Sequence, residues 1–245
     1  MSERPSLPPL YRPLAVASDV DPFAHGIDLA AADADPGTLV WSQGEAACEC
    51  ALVLAPEHSL KQSFPVVQVL MLGIGDALGA LIPPVVAVTY GWPDRIEVNG
   101  GLVGGVRLAW SESDVPNAVP DWMVAGFGVA LRGGWGEDRS NDLHRTTLQE
   151  EGCGDVTALD LLETFSRHFL SWINRWQDSG IEPVHQAWLS RATGLGKAIT
   201  FEVNGHVRDG IFSGLGDTGA LRLLKNGITQ TVAIEDAMKI PTWAV

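Results

Sequence analysis

Cations, cysteine and tyrosine are scarce in this chain. Only 16 Lys and Arg stand against 30 Asp and Glu, a formal net charge of -14 over 245 residues. A field of that sign repels polyphosphate, which excludes nucleic acid and anionic membrane as partners. The three cysteines, Cys48, Cys50 and Cys153, are too few and too irregular for a disulfide framework, and Cys48-Glu49-Cys50 lacks the two-residue gap of redox and zinc pairs. A reducing, cytoplasmic setting is therefore expected. Six scattered histidines, at 25, 58, 144, 168, 185 and 206, show no metal-ligand spacing, so no metal site is expected.

No uninterrupted apolar run spans a bilayer. The most apolar stretch, FPVVQVLMLGIGDALGALIPPVVAV over 64–88, is broken by Gln68, Asp76 and Pro83-Pro84 and reads as a buried helix. The opening MSERPSLPPLYRPL has two basic residues with no apolar stretch behind them, unlike a secretory signal.

What is present is a globular mixture, 46% hydrophobic and 19% charged, long enough for one ordinary domain and a small one. Residues 1–20 are Pro-rich and read as an extended arm. Asp21-Pro22 starts a helix filled with Ala and Leu, which Asp35-Pro36-Gly37 ends. TLVWS and CALVLAP are short β-type runs. Val66, Val67, Leu70, Met71, Ile74, Leu78 and Leu81 recur at helical spacing, with Pro65 suited to a first turn and Pro83-Pro84 as a stop. PVVAVTYGWP reads as a strand, and RIEVNGGLVGGVRLAW as a hairpin turning at Asn99-Gly100. DWMVAGFGVALR supplies another strand.

Residues 133–146 form a polar loop without periodicity. A second long helix follows, with Leu161, Leu162, Phe165, Phe169, Trp172 and Trp176 on one face and Gly180 as its stop, and EPVHQAWLSRATG is a third, shorter one. Trp172 and Trp176 at i and i+4 read as core rather than as a stacking platform. Beyond Gly196 the runs AITFEV, VRDGIFSG, ALRLLK and TQTVAI, separated by Gly-containing turns, form a meander of strands that reads as a small barrel. The expected organisation is a main domain over 1–194 and a small β-domain over 195–245.

Glycines inside a strand weaken it and mark a bulge or a place where something lies against the backbone. Gly104-Gly105 and Gly126-x-Gly128 are two such places. With GWPDRIEVNGGLVGGV, GFGVALR, TTLQEEG and AWLSRATGLGKAITF in this order, the chain resembles the biotin protein ligase and lipoate protein ligase superfamily. That family's Lys-Trp-Pro-Asn-Asp stretch leads through an Asn-Gly turn into Lys-Leu-Ala-Gly-Ile, and a Gly-Ile-Gly-Ile-Asn strand follows. The resemblance implies an α+β fold: a mixed, largely antiparallel sheet flanked by helices, followed by a small SH3-like β-barrel. It also implies a pocket for biotin, lipoate or another small carboxylic acid, lined by Trp92, Asp94, Asn99, Leu102, Gly104, Gly105, Gly126 and Gly128. The alternative reading of these glycines is that they only let neighbouring layers pack closely.

Ligases of this family join an acid to AMP and pass the acyl group to a carrier lysine, which requires cations where charge accumulates. The family's adenylate-neutralising lysine aligns with Leu102, its opening lysine with Gly91, its Asn-Asp pair with Asp94-Arg95, and its asparagine after Gly-x-Gly with Ala130. Only QGEAACE stands where an Arg-Gly-rich loop closes over the adenylate. The expectation is a reaction centre stripped of cations, which speaks against ATP and leaves no cofactor assigned. Arg95 and Arg107 are the candidates to replace the lost charge, with Arg132 after the Gly-x-Gly strand. By strand parity Arg95 and Arg107 face away from Leu102 unless a bulge intervenes. Cys153 is the candidate nucleophile of a related octanoyltransferase branch, although it falls outside that branch's frame, and an inert buried thiol is the competing reading.

Three readings stay open: a carboxylic-acid binder with eroded adenylation residues, an active ligase or acyltransferase with unusual residues, and a protein-interaction module. Family barrels contribute to partner contacts and hairpin sheets to homodimers, whereas acidic carrier proteins would not be drawn to a chain of charge -14.

Overall fold

The structure is a computed structural model, which describes residues 4–113, 115, 117–133 and 144–243. Most of the polar loop expected over 133–146 therefore lies outside the described residues. The elements in chain order are β1 (Arg12–Val16), α1 (Pro22–Ala31), β2 (Thr38–Ser42), β3 (Ala47–Leu54), α2 (Leu60–Ser63), α3 (Val66–Leu81), β4 (Val88–Gly91), β5 (Arg95–Val98), β6 (Gly101–Trp110), β7 (Met123–Ala130), α4 (Ala158–Ser179), α5 (Glu182–Leu189), β8 (Ala198–Val203), β9 (His206–Leu215), β10 (Leu221–Lys225), β11 (Ile228–Val232) and α6 (Ile234–Ala237).

Seven strands form a mixed sheet in the order β1-β2-β3-β7-β6-β5-β4, parallel only between β1 and β2. A four-stranded antiparallel sheet, β11-β10-β9-β8, follows. The architecture is thus α+β, with helices on both faces of the large sheet and a small barrel-like β-unit at the C-terminus. The N-terminal arm is not wholly irregular: Arg12–Val16 adds an edge strand to β2 despite Pro13. Proline is tolerated there because an edge strand leaves one row of N–H groups unused.

The two faces of the sheet are covered differently. On one, Cys50, Leu52, Val106, Leu108, Phe127 and Val129 meet α3 and α4 in a single buried cluster. Helix α3 is buried along nearly its whole length, which its almost unbroken apolar sequence requires. Leu60–Leu81 is long and apolar enough by composition to cross a membrane, but its most apolar window is mostly buried inside this fold. Helix α4 starts at a capping box, in which the Thr157 hydroxyl accepts from the Asp160 amide and the Asp160 carboxylate accepts from the Thr157 amide, and it stops at Gly180 with φ 74°. Trp172 and Trp176 on this helix pack against the cluster, as core residues do. On the other face, α1 packs on Ala51, Val53, Val124 and Ala109 and sets the Phe23 ring over Gly126, while Gly105 and Gly128 in the middle of β6 and β7 are covered from elsewhere in the chain.

Candidate functional site

Gly105, Gly126 and Gly128 lie in this middle. Antiparallel partners share a face, so the register pairs Arg95 with Gly105, Gly105 with Gly128, Gly128 with Glu49, and Arg107 with Gly126 on the α1 side. Gly104 pairs with Ile96 and Val129 and belongs to the opposite face, where a Cβ would overlap the Gly128 carbonyl. It serves close backbone approach of β6 to β7 on the face that meets α3 and α4. The sequence reading put both Gly104 and Gly105 in the pocket; the register separates them.

Closer to the hairpin turn, β6 carries a β-bulge. Ile96 pairs with Gly104 but Glu97 pairs with Leu102, so Val103 is the extra residue in β6. The bulge resets parity: Leu102 shares the face of Glu97 and Arg95, and hence of Gly105 and Arg107. Arg95 and Arg107 therefore do not face away from Leu102.

What lies on the glycines is the chain's own aromatic side chains. A Cβ on Gly126 would come within 2.6 Å of the Phe23 ring, and one on Gly128 within 2.9 Å of Trp243 Cη2. At Gly105 a Cβ would overlap the pyrrole end of the same indole. Trp243 thus spans Gly105 and Gly128 directly on the backbone, 4% exposed, and its Nε1 donates to the Val106 carbonyl at 2.9 Å.

Charge surrounds this floor. The Arg107 guanidinium lies 5.2 Å from the Phe23 ring centroid and 5.5 Å from that of Trp243, and pairs with Asp21 at 2.9 Å. Asp21 also caps α1 by accepting from the Phe23 amide. Beside Gly128 stands Glu49, whose carboxyl is pushed up by burial, pulled down by Arg107 and pushed up again by Asp21. Residues 144–146 run alongside Leu102: its N–H donates to the His144 carbonyl at 2.8 Å, and Thr146 N–H donates to its carbonyl at 3.0 Å. Arg145 bridges Leu102 in parallel and donates from Nη1 to the Trp243 carbonyl at 2.9 Å. Arg107 and Arg145 therefore bring guanidinium groups close to Leu102 and the floor, each engaged with the chain's own groups. Leu102 itself is apolar and 3% exposed, but two guanidinium groups border the floor.

The other expected site residues have structural partners. Asp94 is fully buried, with its carboxylate accepting from Thr242 N–H at 2.8 Å and from the Thr242 hydroxyl. Burial raises its pKa to about 6, against the opposing pull of those hydrogen bonds and of Arg95. Trp92 donates from Nε1 to the Gly219 carbonyl at 3.0 Å and meets Phe201 edge-on, so it joins the large sheet to the small one. With Arg95, Phe201, Pro241 and Thr242 it lines a cavity of about 430 Å³ between them. Asn99 sits in the hairpin turn at φ 50°, accepting from Ala87 N–H and donating to Glu151, away from the floor. Arg132 donates to the Gly154 carbonyl.

Cys153 is buried in the α3 and α4 cluster, its thiol raised by burial and by Glu151, which is the opposite of nucleophile activation. Cys48 and Cys50 are likewise buried free thiols held high by desolvation. Among the described residues no group of three or more His, Cys, Asp or Glu side chains is placed to hold a metal ion. The segment between β2 and β3 is only Gln43–Ala46, too short to fold over the floor.

A helix-backed mixed sheet of seven strands followed by a small antiparallel β-unit is the fold of the biotin protein ligases. Residues 7–190 match the model of the biotin/lipoate A/B protein ligase family, and the chain belongs to that family. A biotin–[acetyl-CoA-carboxylase] ligase of Paracoccus denitrificans is 30% identical over 174 residues, 70% of this chain and 71% of that one. The crystal structure of a biotin protein ligase-like protein of unknown function from Silicibacter sp. TM1040 superposes with a TM-score of 0.87 at 34% identity, covering 97% of this chain and all of that one. The apo biotin protein ligase of Aquifex aeolicus shares the fold, with a TM-score of 0.74 at 17% identity over 91% of this chain and 96% of its own.

Sequence reasoning missed Asp21, Phe23, Glu49, Arg145, Thr242 and Trp243. The signal for Asp21 was available, since an N-cap acid at a helix start is local. Arg145 and Trp243 had none, because their place depends on contacts across 98 residues of chain.

Proposed function

We propose that this chain binds a small ring-bearing carboxylic acid of the biotin or lipoate class on the Gly105 and Gly128 floor, beside the Phe23 ring that covers Gly126, its carboxylate directed to Arg107 and Arg145, without the ATP-dependent activation of a standard ligase. The observation that carries the reading is the floor itself: two paired side-chain-free positions on one sheet face, Gly105 and Gly128, over which the Trp243 ring already lies. Arginine suits the carboxylate because its planar fork donates two parallel hydrogen bonds. Against adenylation stand Leu102 in the lysine position and Gln43–Ala46, which carries Glu45 and no cation.

Titration calorimetry with biotin, lipoate and octanoate, on the chain and on its Trp243→Ala variant, tests the binding. Heat from at least one acid in at least one form is expected, reduced at least tenfold in affinity when Arg145→Gln is added to Trp243→Ala. No heat from any acid in either form removes the reading.

A second reading, a working acyl ligase, is favoured by Arg145 lying beside Leu102 and by the 30% identity to the Paracoccus ligase. ATP-pyrophosphate exchange separates the two. Exchange at background is expected; exchange dependent on biotin and abolished by Arg145→Gln replaces the first reading with the second.

A further inference from the structure

We infer that the C-terminal segment Pro241–Trp243 is a built-in occupant of the acid site, and that the site accepts ligand only when this segment leaves. The inference rests on the acid-binding reading and adds its regulation.

The segment is held by five contacts to four residues, Asp94, Val106, Arg107 and Arg145. Asp94 accepts both the N–H and the hydroxyl of Thr242, Val106 accepts the indole N–H, Arg145 donates to the Trp243 carbonyl, and Arg107 stacks on the indole. The ring rests on backbone, since even one added carbon at Gly105 or Gly128 would strike it. No acid can lie on that floor while Trp243 does, so occupancy is exclusive.

What the segment offers is also what an acid would offer: a flat apolar body for the glycines and an oxygen acceptor for Arg145. It behaves as an internal competitor, and its stabilising contacts lower the apparent affinity of any ligand by the fraction of molecules in which it is released. Release needs no element to unfold, because Pro241–Trp243 follows α6 without helix or strand of its own. The cavity of about 430 Å³ that Pro241 and Thr242 border gives the segment space to shift.

The test compares biotin affinity, by calorimetry, of the full chain with Trp243→Ala and with Thr242→Val. Thr242→Val removes only the hydroxyl of the latch and guards against a folding defect in the first variant; circular dichroism and a cooperative melt accompany each. A synthetic peptide of residues 240–245 is titrated into Trp243→Ala, with and without biotin. At least tenfold tighter biotin binding in Trp243→Ala, a smaller gain in Thr242→Val, and competition between peptide and biotin are expected. Equal or weaker biotin binding in both folded variants overturns the inference while leaving acid binding intact. No heat from biotin, lipoate or octanoate in any form, with the peptide still captured, removes the acid-binding reading and the gate with it.

Discussion

At the scale of single residues, Asp94 is the most constrained group near the floor. A carboxylate with no exposed surface loses its hydration, and the two hydrogen bonds from Thr242 and the charge of Arg95 repay only part of that loss, so its pKa stands at about 6. The sign follows from linkage. A folded pKa above the unfolded value means that the folded chain holds the extra proton between about pH 4 and pH 6. The stability this group confers is therefore complete below pH 4 and lost as pH rises through 6, amounting to about 2 to 3 kcal/mol. Urea unfolding of the wild type and of Asp94→Asn at a series of pH values checks it: the wild-type advantage should fall by that amount between pH 4 and pH 6, whereas a difference independent of pH refutes it. Asp94 was legible from its place after Trp92-Pro93, but its partner Thr242 was not. No local pattern connects residues 148 apart, and the pairing exists only because the small sheet returns the chain to β5.

At the scale of elements, the long helices were the most legible, because a 3.6-residue apolar period and a Gly stop are local properties. Glycines within them were harder to interpret, and α3 shows why. Gly79 has nothing within 4 Å of where a Cβ would be, whereas a Cβ on Gly75 would overlap the hydroxyl of the fully buried Tyr90. The intrinsic helix preference for Ala over Gly is about 0.8 to 1 kcal/mol at either position. Gly79→Ala should therefore stabilise by about 0.5 to 1 kcal/mol. Gly75→Ala must displace a ring stacked on Trp188 and bonded to Arg191, and should destabilise by about 1 to 3 kcal/mol despite the same propensity gain. Thermal or urea unfolding of the two variants decides it, and equal signs would contradict this packing. The bulge at Val103 is the strand counterpart. Period two within β6 predicts that Arg107 opposes Leu102, and only the pairing with β5 reveals the inserted residue. Strand periodicity is legible in a sequence; register belongs to two strands at once.

At the scale of the whole molecule, the two β-units share one core. Phe212, Leu215, Leu221 and Leu223 of the small sheet belong to the same buried cluster as α3, α4 and the inner face of the large sheet. Trp188 of α5 is fully buried between Tyr90 of one sheet and Phe212 of the other, and Trp92 reaches Gly219 and Phe201 across the same junction. The change of texture after Gly196 marked a new sheet correctly, yet texture could not tell whether that sheet carries a core of its own. A four-stranded sheet whose inward side chains end in another unit's core has little to fold around alone. The glycine floor inherits this dependence, because Thr242 and Trp243 reach β5 and β6 only while the small sheet is docked. The full chain should therefore unfold in one calorimetric transition, with van't Hoff and calorimetric enthalpies in agreement. Trp92→Ala, which takes a large ring from the junction, should lower the midpoint of that single transition by about 3 to 5 kcal/mol of stability rather than split it. Two resolved transitions, with the lower one alone sensitive to Trp92→Ala, would instead establish 195–245 as a domain folding independently of the floor it supplies with Trp243.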